Sequence, residues 1–445
     1  MKRRRTYVTT AVAPGAAAPT AVASAPAAVG AVQTAARAAV GPAPASHPTI
    51  RNRTTMTLEP ATALVNGFQP SEAVLRVQRT SLRVQQPQSK GDLVSLAMGE
   101  PDFDTPVQVR AAAAKALEEG HTHYSPLLGE LVLREELAAR IGRLLGEVAS
   151  PGDVLITQGG TAGLSAAILG IVNPGDKVVI PDPTYSLYAD LVSMAGGVVT
   201  PVPLADDLHW DLEALATALE GAKLFVFCNP SNPTGIVHTR RELEALADMV
   251  AGTDTLVLSD EAYSDLVYTP EPFVSALEID GLRGRTIYCQ TFSKSYAMTG
   301  WRVGYLWGPP SVIASAARVH NTFNGSMNTA VQLAALTALK TCGPDIERMH
   351  ASYALRRELM ATGLGSIPGL TVSSPEGAFY LFPKYDVDLP AAQMVAHLRD
   401  FGVAVRPGSE FGRNGEFHLR LSYAASADAI TAGVERLAAG LAALR

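Results

Sequence analysis

The chain has 445 residues, 47% of them hydrophobic, and a formal net charge of −6. That is enough apolar material for a large core, yet the apolar runs are broken by Pro, Gly or charge well short of the ~20 residues a membrane-spanning helix needs. Seven Lys and Arg precede Leu58 with no Asp or Glu among them, so the remainder carries −6 − 7 = −13, which excludes a body-wide nucleic-acid surface.

The first stretch, residues 1–58, is rich in Ala, Pro and Thr and has no Leu before Leu58; it reads as a disordered basic extension. "MKRRR" invites a signal-peptide reading, but Pro14, Gly15, Pro19 and Pro26 spoil the apolar region that such a peptide needs. A transit peptide, or a true start at Met56, remains open. From about Ser71 the pattern alternates strand and helix. "DKVVIPDPTY", "AKLFVFCNPSNPTG", "DTLVLSDEAY", "RTIYCQTFSK" and "RVGYLWGPP" read as strands, each ending in a polar or Gly/Pro cluster. Helices are expected at Thr239–Val250 and along the apolar segment Val312–Lys340. Near-continuous apolar strands with helices between them predict an α/β fold, a mostly parallel sheet covered on both faces, with ligands held at the carboxyl ends of the strands. Over the last ~100 residues "EGAFYLFPKY", "GVAVRPGSEFG" and "FHLRLSYA" predict a smaller α+β domain. Three cysteines, Cys228, Cys289 and Cys342, are too few and too scattered for a disulfide framework or a metal knuckle, and fit a reducing cytoplasm.

One strand end raises a chemical question. Of the 36 Lys and Arg only eight are Lys, yet "QTFSKSYAMTGWRVGY" places Lys294 between two serines in what reads as a buried strand-to-helix turn. An amine can condense with an aldehyde; a guanidinium cannot. Thr291, Ser293 and Arg302 around it suit a phosphate, and "QGGTAGLSAAI" brings the Gly160–Thr161 turn into a helix N-terminus, which favours an anion. A phosphorylated aldehyde beside an amine points to pyridoxal 5′-phosphate. Its pyridine nitrogen needs a buried acid, and Asp260 in "LVLSDEAY" stands at a strand end, with Tyr263 following. Asn232 in "NPSNPTG" offers an amide for the ring oxygen and a substrate carboxylate. Tyr185 in "PDPTYSLY" offers a face for stacking. Each has a plainer reading as well: an N-cap for Asp260, an Asn-Pro turn for Asn232, an ordinary core or edge tyrosine for Tyr185, a salt-bridged lysine for Lys294.

"GEPDFDTP", "NPSNPTG", "SDEAY", "TFSKSYAMTGWRVGY" and "HLRLSYA", in that order, resemble the motif set of the class I/II aminotransferases, and most closely the bacterial subgroup with "MTGWR". The resemblance covers nearly everything after Ser71. It implies the pyridoxal-phosphate-dependent transferase fold of type I, divided here into a segment 59–115 contributing to the small domain, a large cofactor-binding domain 116–340 and a small α+β domain 341–445. It also implies roles for matching residues. Lys294 would carry the cofactor and act as catalytic base, Asp260 would pair with the ring nitrogen, and Tyr263 and Asn232 would bond the ring oxygen. Tyr185 would stack on the ring, while Arg302, Thr291, Ser293, Gly160 and Thr161 would hold the phosphate. Arg420 would grip the substrate α-carboxylate and Gly99 would let the main chain approach the substrate. Tyr124 would reach the phosphate of a partner subunit, implying a homodimer with shared sites. The substrates implied are an L-amino acid and a 2-oxo acid exchanged by ping-pong chemistry, with no nucleic-acid, membrane or metal partner.

One position departs from the pattern: relatives specific for dicarboxylates place a lysine after the glycine pair, and this chain has Thr161. Arg318–Thr329, with His320, Asn321 and Asn324, is expected either to line the side-chain pocket, which would suit a polar or amine-bearing substrate, or to be a helix start near a dimer interface. Two other readings of the whole chain stand beside the transaminase: a lyase or cyclase using the same cofactor, and a regulator, which would need a DNA-binding helix that residues 1–58 do not pattern.

Overall fold

The computed structural model describes residues 69–83 and 92–445; the expectations for residues 1–58 lie outside the described residues. Seven strands build the central sheet: β1 Val154–Thr157, β2 Lys177–Asp182, β3 Val198–Pro203, β4 Leu224–Cys228, β5 Leu256–Asp260, β6 Thr286–Thr291 and β7 Gly304–Trp307. Their order is β1-β7-β6-β5-β4-β2-β3. Pairings within β3-β2-β4-β5-β6 are parallel, whereas β7 runs antiparallel to both β6 and β1.

The five strands expected from the sequence are all present. β1 and β3 were not singled out, for local reasons. β1 is only four residues long, and β3 is a half-exposed edge strand whose two prolines are tolerated because an edge needs fewer ladder donors. Successive residues of a strand face opposite ways. Val178, Val226 and Leu258 therefore join one apolar cluster, with helices Gly159–Ile171 and Leu187–Ala195, while Val179, Phe225, Phe227 and Val257 join another, under Leu212–Leu219 and Arg240–Val250. Two-sided burial explains why these strands read as continuous apolar runs.

The helix expected at Thr239–Val250 forms from Arg240, with Thr239 as N-cap: its hydroxyl accepts the Glu242 N–H, and the Glu242 carboxylate accepts the Thr239 N–H at 2.7 Å. The same carboxylate takes hydrogen bonds from His209 at 3.1 Å and His238 at 3.3 Å. Hydrogen bonds to Glu242 and then Glu376 raise His209 to about 10, so it is a cation clamped between two carboxylates. Ligand atoms of His209, His238 and Glu242 lie within 4.8 Å of one another, but this proton-filled hydrogen bonding accounts for their grouping without an ion.

The segment Val312–Lys340 is two helices, Pro310–Asn324 and Thr329–Thr341, and not one. Gly325 at φ +67 ends the first, and Asn328 caps the second by accepting the Val331 N–H at 3.0 Å.

Near the C-terminus three short antiparallel strands, β8 Tyr380–Leu381, β9 Arg406–Pro407 and β10 Leu419–Ser422, lie in the order β8-β10-β9. Val94–Ser95 pairs in parallel with Val403–Ala404, and the Leu96 carbonyl accepts the Ser422 N–H at 2.8 Å. The stretch "AMGEPDF" thus leaves these C-terminal strands and crosses to the carboxyl ends of β4, β5 and β6.

Candidate active site

At those strand ends lies a cavity of about 360 Å³. Every residue to which the motif resemblance gives a role lines it, except Tyr124. Tyr124 is 97% exposed, away from the cavity of its own chain.

Lys294 follows β6 in a turn that leads through a short 3-10 stretch, Thr299–Trp301, back into antiparallel β7; no α-helix follows it, contrary to the expected strand-to-helix turn. Its Nζ donates to the Gly99 carbonyl at 2.6 Å. Burial, with the charges of Arg420 and Arg302 adding to it, lowers this amine to about 8 against the opposing pull of Glu100 and Asp260. The lysine is thus held partly as a free base near neutrality.

Asp260 ends β5. Its Oδ2 accepts the Tyr188 hydroxyl at 2.8 Å and its Oδ1 the Ala262 N–H at 3.3 Å. These partners are neutral, and burial raises the carboxyl to about 6 despite them. Strand alternation turns the adjacent Glu261 away from the cavity, where Ser259, Ser275 and the Ala276 N–H satisfy its Oε1. Only the first acid of "SDEAY" serves this site.

Another wall gathers groups whose chemistry suits an anion. Helix Gly159–Ile171 has no side-chain cap, so the N–H groups around Gly160 and Thr161 are left for another acceptor. The Thr291 and Ser293 hydroxyls are 2.9 Å apart. Arg302 adopts φ +55, and its Nη1 donates to the Thr299 carbonyl at 3.0 Å. A Cβ on Gly159 would come within 2.7 Å of Arg302 Nη2, so the absent side chain is what lets the guanidinium close on the turn.

Arg420, on β10, is only 7% exposed. Its Nη1 donates to Asn232 Oδ1 at 3.2 Å and its Nη2 to the Ala97 carbonyl at 2.6 Å, while Nε has no partner among the described residues. The guanidinium carbon sits 4.5 Å from the Tyr380 ring centre and 4.9 Å from that of Phe411. A buried cation with only neutral hydrogen-bond partners and one free N–H has the chemistry to accept a carboxylate. Tyr380, which no sequence motif marks as a site residue, also lines the cavity. Residues 318–329 do not: His320 is buried on the final turns of one helix, its Nε2 accepting the Gln158 N–H at 3.2 Å, and the segment ends at Asn328 and Thr329, where the next helix starts.

The donor set fits pyridoxal phosphate. A buried acid without a cation matches a pyridinium, the uncapped helix with Arg302 matches a phosphate, and the depressed amine matches an aldehyde. Residues 91–437 match the family described as aminotransferase class I and II. The chain belongs to that family. As an aminotransferase it is 34% identical over 392 residues, 84% of this chain and 81% of the other, to a bifunctional aspartate aminotransferase and glutamate/aspartate-prephenate aminotransferase of Petunia hybrida. It is 35% identical over 357 residues, 78% and 90% of the two chains, to an aspartate aminotransferase of Geobacillus stearothermophilus. Among solved structures, an aromatic aminotransferase from Pyrococcus horikoshii superposes with a TM-score of 0.78 at 33% identity, over 83% of this chain and 99% of that one. This aminotransferase therefore has the type I fold, depends on pyridoxal phosphate and moves amino groups between amino acids and 2-oxo acids; the lyase and cyclase alternative is not favoured.

Proposed function

We propose that the residues around Lys294 divide the transamination as follows, and the observation carrying this reading is one partly deprotonated amine placed between an unpaired buried carboxylate and an unpaired buried guanidinium. Pyridoxal phosphate, when bound, supplies an aldehyde for exchange of amines and a protonated ring that accepts the electron pair left at the substrate Cα. Lys294 Nζ carries the cofactor at rest. Once displaced by the incoming amino acid, the same Nζ would take the Cα proton and later give it to the former aldehyde carbon of the cofactor, two atoms along with the nitrogen between, as base and then acid. Asp260 holds the proton on the ring nitrogen; a cation beside it stabilises its ionised form and offsets the burial that raises it. Tyr263 and Asn232 donate toward the ring oxygen, and Tyr185 covers a ring face. Arg302, Thr291, Ser293 and the Gly160–Thr161 turn take the phosphate. Arg420 orients the α-carboxylate with a two-pronged contact, and Gly99 leaves its main chain open to the substrate.

The proposal extends to assembly and place. A homodimer with shared sites accounts for Tyr124, an aromatic 97% exposed outside its own cavity, if it reaches the phosphate end of the partner's. Three buried free thiols support a cytoplasmic location, and no described helix is long and apolar enough to cross a membrane. Residues 59–115, 116–340 and 341–445 are proposed as the small-domain segment, the large domain and the small domain; the pairing of Val94–Ser95 with Val403–Ala404 supports the first assignment. Thr161 offers no charge to a second carboxylate, the cations lining the cavity already have proposed partners in the cofactor and the α-carboxylate, and Glu100, which also lines it, is acidic. We therefore place aspartate low among the donors, although relatives bear its name.

Mixing the holoenzyme with one amino acid and no oxo acid tests the reading. A transaminase loses its visible band once and stops, whereas a lyase restores the band and keeps releasing ammonia. Lys294→Ala should show no lysine-linked band and no borohydride-trapped cofactor; retention of both with full turnover removes Lys294 from its role.

A further inference from the structure

We infer that Tyr380 is a positioning residue of this active site, its hydroxyl aiming the Tyr263 hydroxyl and its ring seating the Arg420 guanidinium. The inference rests on the roles proposed above for Tyr263 and Arg420. Tyr380 lies on β8, paired in register with Ser422 on β10. Arg420 is two residues from Ser422, so it emerges on the same face of β10 as the diagonal neighbour of Tyr380, within reach of a long side chain. The 4.5 Å separation of guanidinium and ring follows from that register.

The hydroxyl points the other way. Tyr380 Oη lies 2.8 Å from Tyr263 Oη, in a fully buried pair. Among the described residues Tyr263 is its one hydrogen-bond partner. With an oxygen acceptor in the cavity, Tyr263 gives its proton to that acceptor and takes the Tyr380 proton in return. The direction of the chain is then Tyr380 to Tyr263 to ring oxygen, and each bond polarises the next. The third contact is with Gly99: a Cβ there would collide with the Tyr380 hydroxyl, and the Gly99 carbonyl is the acceptor of Lys294 Nζ. One side chain from the C-terminal subdomain thus touches the aromatic donor, the carboxylate receptor and the main chain that holds the lysine.

The test is a pH titration of the visible spectrum of the resting holoenzyme, without substrate, in Tyr263→Phe, Tyr380→Phe and the double variant. Tyr263→Phe should move the spectral midpoint upward, because it removes a donor that stabilises negative charge on the ring oxygen. Tyr380→Phe should move it the same way by about half to one pH unit, the worth of one neutral hydrogen bond. The double variant should move no further than Tyr263→Phe alone. Tyr380→Phe keeps the ring under Arg420; Tyr380→Leu removes it and should raise KM for every amino acid by about tenfold. If Tyr263→Phe shifts the midpoint and Tyr380→Phe does not, the inference fails while the Tyr263 assignment stands. If neither shifts it, the Tyr263 assignment fails and takes this inference with it. Full additivity in the double variant, or an unchanged KM in Tyr380→Leu, also overturns the inference.

Discussion

Arg420→Ala is the sharpest perturbation of this site. The guanidinium is buried, meets no carboxylate and keeps Nε free. A substrate carboxylate placed against it forms a desolvated charge pair, and truncating one partner of such a pair costs about 2–5 kcal/mol. The substitution also strips the donors from Asn232 Oδ1 and the Ala97 carbonyl, and it opens a gap between Tyr380 and Phe411. At about 1.36 kcal/mol per decade, kcat/KM should fall by about one and a half to three and a half orders of magnitude. The fall should be equal for all amino acids, since each brings the same α-carboxylate. Arg420→Lys keeps the charge but not the fork, and should recover only part of the loss. The assay is the single-turnover half-reaction over a panel of amino acids, with the unreacted visible band proving that each variant is loaded. A loss confined to one amino acid, or a lysine variant as active as the wild type, would refute the assignment.

Two further outcomes follow from local geometry. Gly159→Ala forces an alanine to φ +75 and sets its Cβ 2.7 Å from Arg302 Nη2, so the guanidinium must retreat. Losing one charge-assisted contact should weaken pyridoxal phosphate binding by about ten- to a hundredfold in a reconstitution titration; an unchanged Kd would take Arg302 out of the phosphate pocket. His209, raised from its ordinary 6.5 to about 10, stabilises the fold fully below pH ~6.5 and loses that contribution as pH rises through about 10. The melting temperature of the wild type should therefore fall relative to that of His209→Gln between those pH values, and parallel curves would show that the histidine is not the clamped cation described here.

The site was legible because its chemistry is concentrated in residue types with few substitutes. An amine, an acid and two guanidiniums at strand ends can be read one at a time, and the motif order then ties them together. Much of the scaffold was legible for a related reason: strands buried on both faces carry apolar runs that need no partner to be recognised. β3 escaped because its prolines are permitted only by its edge position, which is a fact about the sheet and not about the segment. Gly325 was invisible inside an apolar stretch because one glycine ends a helix only where the chain must turn.

Tyr380 escaped for a deeper reason. In "EGAFYLF" three aromatics stand within four residues, and nothing local separates the one that enters the site from those that fill the core. Phe379 is buried against Tyr263 and Tyr353, while Tyr380 reaches Tyr263, Arg420 and Gly99. The distinction is set by pairing with Ser422 and by the crossing of "AMGEPDF", two contacts more than forty residues and more than two hundred residues away along the chain. A slip of one residue in that register would turn Tyr380 out and Phe379 in, leaving Tyr263 without its partner and Arg420 without its hydroxyl-bearing ring. The groups that perform the chemistry can be recognised by type, but the groups that aim them are specified only by register.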